Sequence, residues 1–525
     1  MNDDLLDLVV IGAGPHALSL LTRLIDDEPD LMAESERTRI AHKAGSRGRN
    51  HGVVRKHLKK RFNGGDRLAK TVVVDTHGTW MAQWQSDFSA LDIRHTRSHA
   101  DLHPCPHDFQ SLRVWAEMHK RSDEFLHMQH VDREDSRARG YGGPFTLPST
   151  SLFNDFCMSL VDRYNLAPSV RRGHVVDIRL VDCGPTSPCT FQVHLEDGSC
   201  LAAKRVVCAM GPGPMFAGMR ATLPWWAEDL AAELAVAPTS PTTRLQHSSQ
   251  LTSWLRRPDR DRVLSAQRIL VVGGGQTAAH LTLLAHKVAQ RVVLVSRRRI
   301  TVKPYDVDLE HVGDFRGKML QQFWRLDEQE RLRFIAKMRG GGSMNPEARD
   351  ALKHAEVSED SGMGQDEECP ENGKAKRLTI LEEMEVSEAT WHAFGEEEGM
   401  AKDGVADKLI GEVRVRFEDG SEDAFDQVWL ATGGNLDLGL VPIFKSLMEQ
   451  RPIKTSGGLP SLQADLSWDR LCPLHVMGAF AMLQLGPDAL NLAGARSGGV
   501  LVARALLGLD EEDLAATLGH ETRGS

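Results

Sequence analysis

Two strand–glycine turn–helix units far apart in the chain, and a hairpin that recurs after each, predict an α/β protein of two Rossmann-like dinucleotide-binding domains, each with a β-hairpin insertion. Length agrees with this. The chain has 525 residues and is 41% hydrophobic, too long for one ordinary domain and ample for two large cores.

The first unit starts at Leu5–Ile11, a short apolar run with β-branched residues of the kind found in buried parallel strands. The turn Gly12-Ala13-Gly14-Pro15-His16-Ala17 follows at once, and Leu18–Ile25 is apolar at helical spacing. Gly12 permits the tight turn, and Gly14 lets backbone approach a pyrophosphate. Ala17 is small enough for helix and strand to pack, and the helix N-terminus offers its free N–H groups to phosphate. Such a glycine string alone is a weak signal, but strand before and helix after make it a dinucleotide motif. The acidic residue expected at the end of the second strand is Asp75, closing Thr71–Val74. Trp80 and Trp84 follow at i, i+4 spacing and read either as a wall beside the bound ring system or as core.

Between first helix and second strand lies Pro29–Lys70, dense in Arg and Lys. It reads as a surface insertion, either a solvated, partly disordered loop or a basic docking patch.

The second unit runs from strand Arg268–Val272 through Gly273-Gly274-Gly275-Gln276-Thr277-Ala278 and a helix reaching about Val288 to strand Arg291–Ser296. No acid ends that strand. Arg297, Arg298 and Arg299 do, which suits a 2′-phosphate and so NADPH over NADH. A solvated cluster at a strand end is the plain alternative.

The hairpins are an internal echo. Thr190–Gly211 and Glu412–Gly433 each give an alternating strand, a Glu-Asp-Gly-Ser turn and a buried strand ending in Ala-x-Gly. The expected division is a first domain of residues 1–215 and 425–525, carrying the insertion at 29–70, with the second domain at 216–424 between. The acidic, Gly- and Ser-rich stretch Val357–Lys376 reads as a disordered loop. Gly340-Gly341-Gly342-Ser343 reads as a flexible stretch or a turn near the site.

A net charge of −10 argues against nucleic acid as the main partner. No basic-then-apolar leader and no apolar run of membrane-spanning length is present, so a soluble, cytoplasmic protein is expected. The eight cysteines show no CxxC spacing, which argues against a redox dithiol and a zinc cluster. They read as free thiols of a reducing compartment.

Together these motifs resemble the two-dinucleotide-domain flavoprotein monooxygenases, most of all the N-hydroxylating lysine and ornithine monooxygenases. The resemblance spans most of the chain outside Pro29–Lys70 and Val357–Lys376. It rests on both glycine turns, on Asp75 with Trp80 and Trp84, on Arg97-Ser98 with His103-Pro104, and on Leu147-Pro148-Ser149 before a helix Leu152–Tyr164. His247-Ser248, Ala431-Thr432-Gly433, Gly478 with Leu485-Gly486-Pro487, and Asn491 to Arg496 including Gly494 complete it. The resemblance implies FAD held at Gly12, Ala13, Gly14, Pro15, His16, Asp75, Trp80, Trp84 and Gly494. It implies NADPH held at Gly273, Gly275, Gln276, Thr277, Arg297 and Arg298. It also implies the reaction: reduction of FAD by NADPH, formation of a C4a-(hydro)peroxyflavin with O2, and oxygenation of a small nucleophile such as an amine or amino-acid nitrogen. No catalytic acid or base is required, and His103 is the one candidate beside its structural reading. Relatives of this kind often form homo-oligomers. A flavin-dependent halogenase and a non-turnover flavoprotein of the oxidative-stress growth-inhibitor type are the alternatives. Closure at the strands ending in Gly211 and Gly433 is expected to gate hydride transfer.

Overall fold

The computed structural model describes residues 5–32, 50–129, 131–138, 141–181, 188–211, 219–236, 244–311, 315–339, 341–357, 377–394 and 411–509. The chain builds two sheets of mainly parallel strands. The first runs in the order Ser467–Asp469, Cys472–Val476, Val206–Cys208, Leu8–Ile11, Thr71–Asp75, Val170–Arg172. All its pairings are parallel except the edge pair Ser467–Asp469 with Cys472–Val476. The second runs Leu245–His247, Gln427–Leu430, Arg268–Val272, Arg291–Ser296, Leu378–Glu382 and is parallel throughout.

Both orders place the glycine-turn strand in the interior of its sheet, beside the strand that precedes a change of lobe. That is the switch point at which open parallel sheets bind ligands. Val9 and Val10 are fully buried, as are Ile269, Leu270 and Val271. Strands buried on both faces explain the unbroken apolar runs in the sequence.

The two hairpins form three-stranded antiparallel meanders at Val175–Val181, Thr190–Leu195, Cys200–Ala203 and at Val386–Ala393, Gly411–Phe417, Glu422–Phe425. Their turns match in detail. Gly198 and Gly420 have φ of +82° and +84°. Asp197 Oδ1 accepts from Ser199 N at 2.9 Å, and Asp419 Oδ1 accepts from Ser421 N at 2.9 Å.

Chain crossings between the lobes are paired. Met219–Ala221 and Gly434–Leu436 form an antiparallel ladder. His247 Nε2 lies 3.1 Å from the Gly433 carbonyl, and Thr432 Oγ1 donates to Thr222 O at 2.6 Å. Two helices from the middle of the chain, Arg316–Phe323 and Glu328–Arg339, bury Phe323 and Ile335 in the core of the first sheet. Arg316 forms a buried ion pair with Asp488 at 3.0 Å.

The basic insertion is not a surface loop throughout. Residues 33–49 lie outside the described residues, but His51–Leu58 is a helix capped by Asn50, whose side chain accepts from Gly52 N at 2.8 Å. It buries Val54, His57 and Leu58. His57 Nε2 sits 2.9 Å from Asp26 Oδ2, which also accepts from Tyr164 Oη, and the His57 ring stacks on His107 with centroids 3.5 Å apart. The rings are parallel within 2°, and the Asp26 oxygen is already hydrogen-bonded to His57 and Tyr164. This cluster is a packing device that anchors the insertion. The predicted acidic loop, from residue 358 to 376, lies outside the described residues.

Candidate functional site

The first glycine turn joins Leu8–Ile11 to helix Pro15–Ile25. Gly12 has φ +100°, and a Cβ there would stand 2.7 Å from the Ala209 carbonyl oxygen. Only glycine serves a left-handed backbone pressed against its neighbour strand. Gly14 differs. Its φ is −97° and a Cβ there would meet nothing within 4 Å. The space above Gly14 is open, and no side chain caps the helix behind it. That is the geometry of an anion cradle at a helix N-terminus.

Asp75 ends its strand beside this turn. Its Oδ2 accepts from Ala13 N at 3.1 Å and its Oδ1 from His77 N at 2.8 Å. It thereby fixes the turn, and a carboxylate oxygen keeps lone pairs for a further donor. Met81, in the left-handed region at φ 63°, donates its N–H to Ala13 O at 2.8 Å and docks the following segment on the turn. Sequence reasoning missed Met81, because nothing in an apolar side chain announces an N–H contact. His16 is next along the helix. Its Nδ1 is buried with no hydrogen-bond partner among the described residues, close to Gly478. Burial pushes its imidazole down to about 4. An orphaned nitrogen and an open cradle in one place fit a bound dinucleotide.

Trp80 and Trp84 both make packing contacts. Trp80 is a core residue whose Nε1 donates to Leu166 O at 3.1 Å. Trp84 stacks on Phe88 with ring centroids 4.1 Å apart and leans on Phe153. His103 is buried, with Nε2 2.9 Å from the Phe109 carbonyl and its ring edge-on to Phe156. Burial and the Arg496 cation hold it well below the usual histidine range. It is built in as a neutral structural group. Gly494 lies in the first turn of helix Leu492–Leu507, where a side chain would collide with the Ala489 backbone. The cap of that helix is Asn491, accepting from Ala493 N at 3.0 Å.

The second turn repeats the first. Gly273 has φ +147°, and a Cβ there would lie 2.5 Å from the Ala431 carbonyl oxygen. Gly275 precedes helix Gln276–His286, again without a side-chain cap. The turn opens on a cleft of about 1330 Å³ lined by Thr277, Arg297, Arg298, Arg299 and Asn345, with Arg97 reaching in from the first lobe. The three arginines are exposed at the end of Arg291–Ser296, free to meet an anion. At the end of the neighbouring strand, Glu382 is engaged by Arg349 and by Ile300 N at 2.8 Å, while Glu385 lines the cleft. Gln276 is committed to protein. Its Oε1 accepts from Asn345 N at 2.8 Å, and its Nε2 faces both Asn345 Oδ1 at 3.2 Å and His280 Nε2 at 3.0 Å. His280 accepts as a neutral ring, since burial pushes it down to about 4.

Gly341-Gly342-Ser343 lies directly on this turn, with Gly342 Cα 3.6 Å from where a Gly275 Cβ would be. Gly340 is outside the described residues. The cysteines depart from the free-thiol expectation at one place. Among the described residues Cys105, Cys157, Cys200, Cys208 and Cys472 are free, but Cys189 is disulfide-bonded.

Comparison with known proteins places this geometry. Residues 173–352 match the family model of L-lysine 6-monooxygenase/L-ornithine 5-monooxygenase. Among solved structures the chain is similar to ornithine hydroxylase from Pseudomonas aeruginosa, at 16% identity and TM-score 0.58, covering 96% of this chain and 99% of that one. It is similar to an ornithine N-hydroxylase of Kutzneria sp. 744, solved with reduced FAD, NADP+ and L-ornithine, at 14% identity and TM-score 0.59, covering 96% and 99%. L-Lysine 6-monooxygenase from Pseudomonas syringae follows at 17% identity and TM-score 0.55, covering 96% and 100%. No curated protein sequence matches the chain. Among the described residues, no helix is long and apolar enough to cross a membrane. The chain therefore has the fold of these flavin monooxygenases, and residues 173–352 match the lysine/ornithine monooxygenase family model.

Proposed function

We propose that the protein is an FAD-dependent, NADPH-using monooxygenase that oxygenates the nitrogen of a small amine or amino acid. One observation carries the reading above the rest. Two helix N-termini without side-chain caps, each behind a glycine turn, stand at the switch points of two parallel sheets in a chain whose middle matches the family model.

Gly12–Gly14 and the N-terminus of Pro15–Ile25 hold the FAD pyrophosphate, and Asp75 accepts from its ribose. Gly273–Gly275 and the N-terminus of Gln276–His286 hold the NADPH pyrophosphate, and Arg297 and Arg298 take the 2′-phosphate. FAD, when bound, supplies hydride acceptance from NADPH and the activation of O2. The chain contributes position and dryness. Met81 and Asp75 lock the first turn, and the apolar wall formed by Phe88, Leu91 and Leu126 lines the cleft between the lobes. No side chain in the cleft is required as a nucleophile. The titratable rings nearest the turns, His16 and His280, are held neutral by burial and so add no charge.

Replacing Arg297 and Arg298 with alanine is expected to raise KM for NADPH by roughly ten- to a hundredfold, two lost charge-assisted contacts at about 1.4 kcal/mol per tenfold. KM for NADH should move little. Equal effects on both nucleotides would remove the 2′-phosphate assignment. A panel of primary amines, including lysine, ornithine and cadaverine, scored for hydroxylamine product, then identifies the substrate.

A further inference from the structure

Arg97 stands on a segment that belongs to the first lobe. Thr96 N donates to Pro148 O at 3.0 Å, Ala100 N to Thr146 O at 3.0 Å, and Thr150 N to Arg94 O at 2.9 Å. Its side chain crosses to the second lobe and is only 13% exposed. There Nη1 donates to Asp306 Oδ1 at 2.8 Å and Ser343 O at 2.9 Å. Nη2 reaches Lys303 O at 2.9 Å, Tyr305 O at 3.1 Å and Ser343 Oγ at 2.9 Å. One planar fork thus gathers two loops, residues 303–306 and 341–343. The second loop is the one whose backbone lies on Gly275.

The same loop is held from the other side. Asn345 is clamped to Gln276 of the glycine turn, and Met344 N donates to Thr301 O at 3.0 Å. Gly341 and Gly342, both at positive φ, have no conformational preference of their own to keep the loop in place. Its position is set by its ties, and Arg97 is the tie that comes from the other lobe.

We propose that Arg97 is a positioning residue for the pyridine nucleotide: it holds Gly341–Ser343 against the second glycine turn and so shapes the pyrophosphate end of the cleft from the opposite lobe. This rests on the nucleotide assignment above. Because the effect is on the pyrophosphate end, Arg97 serves NADPH and NADH alike, unlike Arg297 and Arg298.

The test uses the flavin-loaded full-length protein, with Arg97→Ala, Arg97→Lys, Ser343→Ala and the Arg97→Ala/Ser343→Ala double variant. NADPH and NADH binding are both expected to weaken about tenfold or more in Arg97→Ala, the loss of at least one charge-assisted bond. KM should rise with little change in the flavin-reduction rate at saturating nucleotide. Lysine should fail to restore binding, since an ammonium cannot span two loops, while millimolar guanidinium should restore part of it. Ser343→Ala should weaken binding less, and the double variant should be no worse than Arg97→Ala alone. Hydrogen exchange at the Met344 and Asn345 amides, measured without nucleotide, should accelerate in Arg97→Ala. Unchanged exchange overturns the latch whatever the cofactor proves to be. Faster exchange with wild-type affinity for both nucleotides overturns its role in binding. A loss confined to NADPH would instead make Arg97 a 2′-phosphate ligand. If the wild-type protein binds neither nucleotide while exchange still responds, the cofactor assignment fails and the latch stands as a purely structural tie. Should Arg97→Ala lose its fold, guanidinium rescue and the milder Ser343→Ala decide the question.

Discussion

Two glycines of the first turn, Gly12 and Gly14, have different jobs, and substitution separates them. Alanine at Gly12 would carry a positive φ and press on the Ala209 carbonyl, a cost of about 1–3 kcal/mol even without cofactor. Alanine at Gly14 has room and an ordinary backbone, so the thermal stability of the apoprotein should hold within about 0.5 kcal/mol, while FAD affinity falls. Calorimetry on the apoproteins and flavin titration check both, and a Gly14→Ala variant that binds flavin normally would remove this turn from the cofactor site. The glycine turns and the place of Asp75 beside the first of them were legible in sequence because their spacing is local. Gly12 and Gly14 act through backbone, and the neighbouring strand and helix are visible within a few residues. The tryptophans were not legible to the same degree. Trp80 at i, i+4 from Trp84 is a spacing that core and cofactor wall share, and only the Leu166 contact assigns its indole to the core. The Arg97 contacts were invisible for another reason, since Ser343 is 246 residues away.

At the scale of elements, the turn helix and the last helix define the first lobe. Helix Pro15–Ile25 packs on Leu492–Leu507, and Gly499 lets them approach, since a Cβ there would stand 2.8 Å from Ser19 Oγ and 3.1 Å from Ser19 O. Valine at Gly499 should cost about 1–3 kcal/mol by overpacking, read as a fall in the denaturant midpoint, and unchanged stability would mean that the helices slide freely. Both glycine-turn units and the paired hairpins were read from sequence because parallel strands and hairpins carry their own periodicity. The strand Arg268–Val272 has its predicted bounds, and the first strand is trimmed to Leu8–Ile11. The insertion was harder. Its charge marks it as surface, but Val54, His57 and Leu58 at i, i+3, i+4 form one buried face. That pattern spans a single short helix, and its partner, Asp26, is recognised only when Tyr164 and His107 come together around it in space.

Across the whole molecule, the two chain crossings pair as the ladder of Met219–Ala221 with Gly434–Leu436, and Arg97 reaches from the first lobe to the second. The buried rings set a pH response. Burial pushes His16, His280 and His311 each to about 4. The unfolded chain takes up protons near pH 6.5, before the folded one does. The stability these neutral rings contribute is complete above that pH and is lost as pH falls toward 4, by roughly 3 kcal/mol per group at the limit. Carboxylates held below their usual range, such as Asp26, add a further loss only below about pH 4. The melting temperature should therefore decline from pH 6.5 to 4, and His311→Asn should flatten part of that slope. A melting temperature flat over this interval would contradict the neutral burial of these groups.

The central claim, that this two-nucleotide fold drives coupled oxygenation of an amine, is tested most directly by stoichiometry. Flavin-loaded protein is supplied with NADPH in air and each amine of the panel in turn, and NADPH consumed, O2 consumed, hydroxylated product and hydrogen peroxide are measured together. The account predicts that one amine brings NADPH, O2 and product to a ratio near one to one to one, with little peroxide. NADPH oxidation that ends wholly in peroxide for every amine, or no flavin-dependent NADPH oxidation at all, would contradict it.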